Sequence, residues 1–339
     1  MGNKAPPARL GILGAGSISD YHIQGLQQAG GDIKALFSLD LEGARRKALL
    51  YGIPTFSDRI NELLNNPELD ALVIATPDFT HAELAIAAAR AGKAILIQKP
   101  MARNVTECQR ILEACQENRV PCFVSFMHRY FPEIEVLQNL LANGSLGEIC
   151  MVRQRNATPG AAWAEWFYRR EMVGGGVAMQ LGVHGIDLLR LLFGEIQSVK
   201  AATTTIVKER RMENGRIIYP DNEDLALAIY RFDNGLFADH EMSYNEAAGT
   251  DRFRLEIYGS QATVWLRSEL GRFNLRRRGG DWEQIDLSTE DVGLRQHRHF
   301  LAMLRGDSPH DHSDLDGLMS VRVVEAIYRS AESNGWVNV

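Results

Sequence analysis

Five short apolar segments recur through the first third of the chain, and each is followed by a stretch with helical periodicity. The segments are strand-length and lack polar alternation, as expected of strands buried on both faces; they span residues 10–13, 33–37, 71–75, 94–97 and 122–124. Strands that alternate with helices at this spacing form a parallel sheet with right-handed crossovers. We therefore predict an α/β domain of the doubly wound, Rossmann type over residues 1–123.

The pattern changes after Phe131, where helical segments give way to a run of strands. Strands are predicted at residues 199–207, 225–232, 235–242, 253–258 and 262–266, separated by turn residues such as Asp233-Asn234-Gly235. Amphipathic helices at 297–304 and 315–333 close the chain. This succession predicts a second, α+β domain over residues 124–339, built on a large, mostly antiparallel open sheet.

Composition restricts the possible partners. The net charge of −6 comes from interspersed acidic and basic residues, which offers no basic stripe to a nucleic acid. No apolar run is long enough to span a bilayer, and the N-terminal residues 1–10 lack the apolar core of a secretion signal. We expect a cytoplasmic protein that binds neither nucleic acid nor membrane, with its four cysteines as reduced structural thiols.

One short tract carries potential metal ligands. Residues 309–314 read Pro-His-Asp-His-Ser-Asp, but no predicted helix or strand supports them. A metal site needs ligands held in a fixed geometry. The tract is therefore interpreted as a surface turn, and no metal is expected.

The first predicted strand turns through glycines into a helix. Gly14 permits a tight turn, and Gly16 lets the backbone approach a pyrophosphate at the helix N-terminus, where Ser17 and Ile18 begin the helix. The third small position of such a motif is Ser19. Because the motif follows a strand and opens a helix, it predicts dinucleotide binding.

The end of the second strand bears on the choice between NAD and NADP. If Ser38 is the tip residue, no carboxylate repels a 2′-phosphate, and Ser38 with Arg45 or Arg46 would bind it. If the strand ends later, Asp40 would grip the ribose of NAD. Of these, the Ser38 alternative is preferred, which predicts NAD(P) with a preference for NADP.

Two further segments carry polar groups suited to hydride chemistry. Lys99 ends a buried strand, at the edge of the sheet where ligands bind in open α/β folds. Gln180, His184 and Asp187 share one face of an otherwise apolar helix that begins with Gly174-Gly175-Gly176. Oxidation of a secondary alcohol requires a base, a role for His184, and positive charge near the developing alkoxide, a role for Lys99.

Taken together, these motifs resemble the glucose–fructose oxidoreductase/inositol dehydrogenase (Gfo/Idh/MocA) family over nearly the whole chain. The matching pieces are Gly14-Ala-Gly16 with His22, Ala75-Thr76-Pro77 with His81, Lys99-Pro100, Gly174-Gly-Gly176, His184 with Asp187, and Ala326 to Ala331. The resemblance implies that Lys99 and His184 face the reacting carbon, that the Lys99–Pro100 peptide is cis, and that subunits form dimers or tetramers through the open sheet.

The resemblance also supplies two sets of site residues. Residues expected to contact or border the dinucleotide are Gly14, Gly16, Ser17, Ile18, Ser38, Asp40, Arg45, Thr76, Pro77, His81, Gln98 and Lys99. The expected substrate pocket, in which aromatic groups alternate with hydrogen-bonding groups as sugars require, draws on His128, Arg129, Arg155, Trp163, Trp166, Tyr168, Asp187, His240 and Tyr244.

Two departures from the family pattern affect the chemistry. Gln98 precedes Lys99 where the family has glutamate, and Gln180 replaces the acid four residues before the histidine. An amide can hydrogen-bond a hydroxyl but carries no charge, so Gln180 is expected to position substrate. The leading hypothesis is an NAD(P)-dependent dehydrogenase or reductase of a sugar, sugar derivative or cyclitol. The alternatives are a non-catalytic sensor of NAD(P) and sugar, and an NAD-dependent glycoside hydrolase.

Overall fold

The computed structural model describes residues 7–248, 252–267 and 272–339, which form two compact units. The first comprises the chain up to Ala102 with Thr106–Met127 and Glu290–Leu318, and the second comprises Arg103–Val105, His128–Thr289 and Met319–Val339. This division differs from a single boundary after residue 123, because the segment from Glu290 returns to the first unit. Most of the N-terminal stretch used to judge secretion lies outside the described residues.

The first unit contains a six-stranded parallel sheet in the order β3-β2-β1-β4-β5-β6. The strands are β1 (Arg9–Leu13), β2 (Asp32–Phe37), β3 (Thr55–Ser57), β4 (Ala71–Ile74), β5 (Ala94–Gln98) and β6 (Cys122–Ser125). The helices between them are α1 (Ser17–Gln28), α2 (Leu41–Tyr51), α3 (Ile60–Leu64), α4 (His81–Arg90) and α5 (Val105–Asn118). The predicted doubly wound sheet is confirmed, and the short β3 is the strand that the sequence pattern missed.

The second unit is built on a nine-stranded sheet in the order β16-β15-β14-β13-β7-β12-β11-β8-β17. Its pairs are antiparallel except for β7 with β12, and β9 and β10 form a separate hairpin. The strands are β7 (Ile149–Ala157), β8 (Ile196–Thr204), β9 (Arg210–Arg211), β10 (Ile217–Ile218), β11 (Leu225–Phe232), β12 (Phe237–Ser243), β13 (Phe253–Gly259), β14 (Ala262–Arg267), β15 (Arg272–Arg277), β16 (Trp282–Ile285) and β17 (Val337–Asn338). The predicted large, mostly antiparallel sheet is confirmed.

One face of this sheet is buried and the other is open. Along β11, Ala226, Ala228 and Tyr230 are buried, whereas Leu227 and Ile229 alternate with them and are exposed. This is the period-two pattern of a strand with one packed face. The helices of this unit up to residue 193 are α6 (Pro132–Ala142), α7 (Arg170–Val173) and α8 (Val183–Phe193).

The stretch Arg170–Phe193 contains α7, the glycine triplet and α8, and within the described residues it alone is long and apolar enough to cross a membrane. However, 89% of its most apolar window is buried inside the protein, which is the environment of a core helix. A π-helical turn, Ala178–Gly182, connects to α8 within this stretch.

Helix α9 (Val292–Arg305) packs on α1, which explains why the chain returns to the first unit. The buried ring of His297 lies with its Nε2 atom 2.9 Å from Nδ1 of His22, and Gln296 donates to the Ser125 hydroxyl. The last helix is α10 (Ser313–Ser333), whose residues up to Leu318 belong to the first unit and whose remainder belongs to the second.

Candidate active site

Gly14 occupies a position that no other residue can take without strain. Its φ is +111°, and a Cβ atom there would lie 2.4 Å from the carbonyl oxygen of Ala75. Its amide donates to the carbonyl of Phe37, at the end of β2. The turn after β1 is therefore fitted between the carboxyl ends of β2 and β4, at the edge where ligands bind in such sheets.

The start of α1 has the properties of a diphosphate site. A Cβ atom on Gly16 would meet open space, and Ser17 is exposed. Among the described side chains, none caps this helix start, so its first amides point outward without a side-chain acceptor. Helix N-termini of this kind bind phosphate groups through backbone N–H groups and the helix dipole. The residues present therefore fit the dinucleotide that the motif predicts.

The structure settles where β2 ends. The strand finishes at Phe37, so Ser38 is the first residue beyond it. Asp40 is instead the N-cap residue of α2, and its Oδ1 atom accepts a hydrogen bond of 3.0 Å from the amide of Gly43. Arg46 lies 3.8 Å from the same carboxylate, and Arg45 is exposed. The alternative in which Asp40 is the strand-tip acid is therefore wrong, because its carboxylate caps a helix.

His81 connects two of the predicted cofactor segments. Its Nδ1 atom lies 2.9 Å from the carbonyl oxygen of Pro100, and its Nε2 atom lies 2.9 Å from that of Thr76. The ring of His81 is fully buried between the loops after β4 and β5 and donates its single N–H to one of these two carbonyl oxygens. His81 therefore joins the two loops at this edge of the sheet, and its place beside the dinucleotide stays a prediction.

The turn after β5 carries Lys99 and Pro100. The Lys99–Pro100 peptide is cis, as predicted. Gln98 turns its side chain back, so that its Oε1 atom accepts a 2.8 Å hydrogen bond from the amide of Lys99. Lys99 itself is half-buried at the same strand edge as Gly14, and Pro77 is half-buried in the loop after β4.

The glycine triplet before α8 has no side chains, which lets Glu223 and Tyr328 approach its backbone closely. A Cβ atom on Gly175 would lie 1.9 Å from the hydroxyl of Tyr328, and one on Gly176 would lie 1.9 Å from the carbonyl oxygen of Glu223. The Glu223 carboxylate accepts hydrogen bonds from the amides of Gly176 and Ala178 and from Tyr328. Burial raises the pKa of Glu223 although these hydrogen bonds oppose the rise. Glu223 thus caps the helical segment that carries Gln180 and His184.

The buried ring of His184 stacks on that of His128, with centroids 4.1 Å apart and planes inclined by 12°. Phe131 and Phe253 contact the other sides of His128, at centroid distances of 4.7 and 5.3 Å. Gln180 is buried within the π-helical turn that precedes α8. His128, expected in the substrate pocket, and His184, expected as the base, therefore lie together in an aromatic environment.

Asp187 and Arg129 form a buried ion pair. The Arg129 Nε atom donates to Asp187 Oδ2 at 2.8 Å, and a second hydrogen bond joins Nη2 to Oδ1. The carboxylate of Asp187 is fully buried. The expectation that Asp187 binds substrate is corrected, because its carboxylate is engaged by Arg129 and the pair fixes α8 to the segment that carries His128.

His240 also belongs to the supporting structure. Its Nδ1 atom lies 3.0 Å from the Tyr230 hydroxyl and its Nε2 atom 2.8 Å from Asn156 Oδ1. Gly185 of α8 allows this network to approach, since a Cβ atom there would lie 2.3 Å from Asn156 Oδ1. Burial lowers the pKa of His240 to about 3. With both nitrogens occupied, His240 is not the substrate ligand that we expected.

Arg155 lies on the open face of the sheet. Its Nε atom pairs with Glu241 at 2.9 Å, and it forms a second pair with Glu246. Its neighbour Asn156 points to the opposite face, against Gly185 of α8. Because successive side chains of a strand alternate between faces, Arg155 points away from α8. Its role in substrate binding stays a prediction, and the structure places its guanidinium between Glu241 and Glu246.

The aromatic residues of the second unit divide into two groups. Tyr168 and Tyr244 are buried, and the Tyr168 hydroxyl accepts a 2.8 Å hydrogen bond from the amide of Ala161. Trp163 is 58% exposed and Trp166 is half-buried, with ring centroids 6.1 Å apart. The tryptophans therefore offer accessible aromatic surface, whereas Tyr168 packs in the core.

The histidine–aspartate tract is more ordered than a free surface turn. Potential ligand atoms of His310, His312 and Asp314 lie within 4.8 Å of one another. However, His310 Nε2 lies 2.9 Å from the carbonyl oxygen of Cys122, and His310 Nδ1 accepts a 3.0 Å hydrogen bond from the amide of His312. A metal would have to displace the second of these hydrogen bonds.

Two supporting residues had no motif to reveal them. Glu223 lies in a polar run before β11, and Lys47 is one basic residue among several on α2. Lys47 reaches the glycine turn, where its Nζ atom lies 2.7 Å from the carbonyl oxygen of Gly16.

Comparison with known proteins agrees with this architecture. Residues 8–126 match the oxidoreductase family with an NAD-binding Rossmann fold, and residues 134–265 match the Gfo/Idh/MocA C-terminal domain. The chain is 30% identical over 323 residues to scyllo-inositol 2-dehydrogenase (NAD(+)) of Bacillus subtilis, covering 93% of this chain and 91% of that protein. It is 26% identical over 344 residues to levoglucosan dehydrogenase of Pseudarthrobacter phenanthrenivorans, covering 89% and 87%.

A solved structure of a levoglucosan dehydrogenase in complex with NADH has the same fold. It superposes with a TM-score of 0.91 at 22% sequence identity, covering 98% of this chain and 99% of that one. Together with the two family matches, which span most of both units, this establishes that the chain belongs to the Gfo/Idh/MocA family of oxidoreductases.

Proposed function

We propose that this protein is an NAD(P)-dependent dehydrogenase or reductase that acts on a secondary hydroxyl or keto group of a sugar, sugar derivative or cyclitol. One observation supports this proposal most directly. The turn at Gly14 and Gly16, which is suited to bind a diphosphate, and Lys99 lie at the same edge of the sheet in the first unit. The buried imidazole of His184 in the second unit supplies the proton-transfer group such a reaction needs. Relatives named for inositol and levoglucosan support the substrate class.

The proposed roles follow from the chemistry of alcohol oxidation. A nicotinamide held at the Gly14–Gly16 turn would supply the acceptor for the hydride of the carbinol carbon. His184 takes the hydroxyl proton during oxidation and returns it during reduction. Lys99 stabilises the negative charge that develops on the oxygen, and Gln180 positions a hydroxyl through its amide. The Arg129–Asp187 pair and the Glu223 cap keep α8 in place while His184 changes protonation state.

NADP is the proposed preferred cofactor. Ser38 is the first residue beyond β2, so no carboxylate stands at the position that would repel a 2′-phosphate. Arg45 and Arg46 on the first turns of α2 supply positive charge nearby. The carboxylate of Asp40 is already used to cap that helix.

The exposed indole ring of Trp163 and the half-buried ring of Trp166 are the proposed surface for the apolar C–H face of a sugar. The open sheet face is the proposed subunit interface, because it exposes large apolar side chains such as Ile229, Phe237 and Trp265. We place the enzyme in the cytoplasm, where its buried Cys108, Cys115 and Cys122 remain reduced thiols.

The proposal is tested by screening sugars, inositols and sugar acids with NAD⁺ and NADP⁺ and following the absorbance of the reduced cofactor. Turnover of a polyol or sugar with either cofactor is expected. Tight dinucleotide binding without turnover of any of these compounds would favour the sensor alternative. Release of a sugar from a glycoside without net reduction of cofactor would favour the hydrolase alternative.

A further inference from the structure

Lys47 of α2 reaches across to the turn between β1 and α1. Its Nζ atom lies 2.7 Å from the carbonyl oxygen of Gly16, 2.9 Å from the Ser19 hydroxyl and 2.7 Å from Asp20 Oδ1. Only 12% of the side chain is exposed. A lysine held this closely by three oxygen atoms has given up most of its rotameric freedom, which a solvated surface lysine keeps.

These contacts converge on one carbonyl group. The oxygen of Gly16 accepts hydrogen bonds from the Ser19 amide at 3.2 Å, from the Ser19 hydroxyl at 2.6 Å and from Lys47. Ser19 stands at the position where the dinucleotide motif allows a third glycine, and it is fully buried. The hydroxyl of Ser19 thus links the motif to Lys47, which the motif does not include.

The orientation of this carbonyl determines the direction of a neighbouring donor. In a planar trans peptide the C=O group and the following N–H group point in opposite directions. With the Gly16 oxygen held toward α2 by Lys47, the N–H of Ser17 points away from α2, at the uncapped start of α1. That is the donor with which such a helix start binds a phosphate oxygen.

We propose that Lys47 is a positioning residue for the dinucleotide: it fixes the Gly16–Ser17 peptide in the orientation that binds the diphosphate. Asp20 holds the ammonium group in place and balances its charge. This inference rests on the dinucleotide site of the proposed function and does not depend on which sugar is the substrate. Because NAD and NADP share the diphosphate, the loss of Lys47 weakens the binding of both cofactors equally.

The test measures dissociation constants for NAD⁺ and NADP⁺ by isothermal titration calorimetry, without any sugar present. Lys47→Met is expected to raise both dissociation constants by about tenfold or more, which is the scale of a lost charge-assisted hydrogen bond. Lys47→Arg, which keeps a charged donor, is expected to restore most of the affinity. Lys34→Met is the matched control, since Lys34 pairs with Asp32 at 2.7 Å in the same unit but lies on β2.

The outcomes separate the role of Lys47 from general effects. Unchanged affinity in Lys47→Met, equal loss in Lys34→Met, or loss confined to NADP would each overturn the proposal. Should Lys47→Met not fold, as judged by thermal unfolding without cofactor, Asp20→Asn carries the test. The Asp20→Asn substitution removes the ion pair that holds the ammonium group of Lys47, so it is expected to lower the affinity for both cofactors. Unchanged affinity in Asp20→Asn refutes the proposal. Failure of the native protein to bind either dinucleotide would instead refute the proposed function.

Discussion

The imidazole of His128 lies almost parallel to that of His184, with ring centroids 4.1 Å apart. The two rings are buried, so the orientation of the proposed proton-transfer group depends on a neighbour of matching shape. His128→Phe preserves a flat ring at this place and is expected to keep most of the turnover. His128→Ala leaves a cavity beside His184 and is expected to lower kcat about tenfold or more. Equal kcat values for the two variants would contradict a positioning role for the stack.

Removal of the two proposed catalytic groups gives the most direct test of the mechanism. General acid–base catalysis contributes roughly 10²- to 10⁴-fold, so His184→Ala is expected to slow turnover on that scale. Lys99→Met is expected to abolish most activity, because charge stabilisation at the oxygen is lost. Calorimetry should find that His184→Ala binds the dinucleotide nearly as the native protein does. Near-native rates in both variants on a good substrate would exclude the mechanism.

Gln180→Asp restores the acid that the family pattern has at this position. A carboxylate there favours the protonated form of His184, so the pH–rate profile for oxidation is expected to move to higher pH. Gln180→Asn is the matched control, because it has the size of aspartate without the charge. A profile that moves in both variants would mean that side-chain length, and not charge, is responsible.

Ser38→Asp tests the basis of cofactor choice. A carboxylate directly after β2 repels the 2′-phosphate and accepts hydrogen bonds from the free ribose hydroxyls, so the ratio of kcat/KM values is expected to shift toward NAD. Ser38→Asn is the matched control, because asparagine has the size of aspartate without the charge that repels the 2′-phosphate. Comparable affinities of the native protein for NAD and NADP would remove the reason for the prediction.

Buried histidines make the fold sensitive to acid. Burial lowers the pKa of His297 to about 4 and that of His240 to about 3, and burial together with His297 lowers the pKa of His22 well below its usual value. The unfolded chain therefore binds more protons than the native protein below about pH 6.5. The free energy of unfolding is expected to fall from pH 6.5 toward pH 4, by on the order of 1.4 kcal/mol per pH unit for each such histidine.

Urea unfolding at several pH values measures this slope. His240→Gln is expected to reduce the slope by about one proton, because the buried amide has no charge to gain. A native protein whose stability is constant between pH 6.5 and 4 would contradict the prediction.

Local sequence was sufficient for the elements whose pattern is set by the chain itself. The strands around Leu10, Ile33 and Ala71 were predictable because apolar runs of that length are buried on both faces. Gly14 was predictable because its turn requires a positive φ. For these features, the order and spacing of residues along the chain are enough to predict the local structure.

Tertiary structure decided the features that depend on which distant groups meet. Sequence alone does not reveal that Glu223 caps the segment before α8, that Lys47 holds the Gly16 carbonyl, or that α9 returns to pack on α1. Nor does it reveal which polar side chains form hydrogen bonds inside the protein. Asp187 was expected to bind substrate, but it pairs with Arg129. His240 was expected to do the same, but its two nitrogen atoms contact Tyr230 and Asn156. Each of these outcomes depends on hydrogen bonds between groups far apart in the chain, and the sequence pattern does not show which distant groups satisfy one another when they are buried.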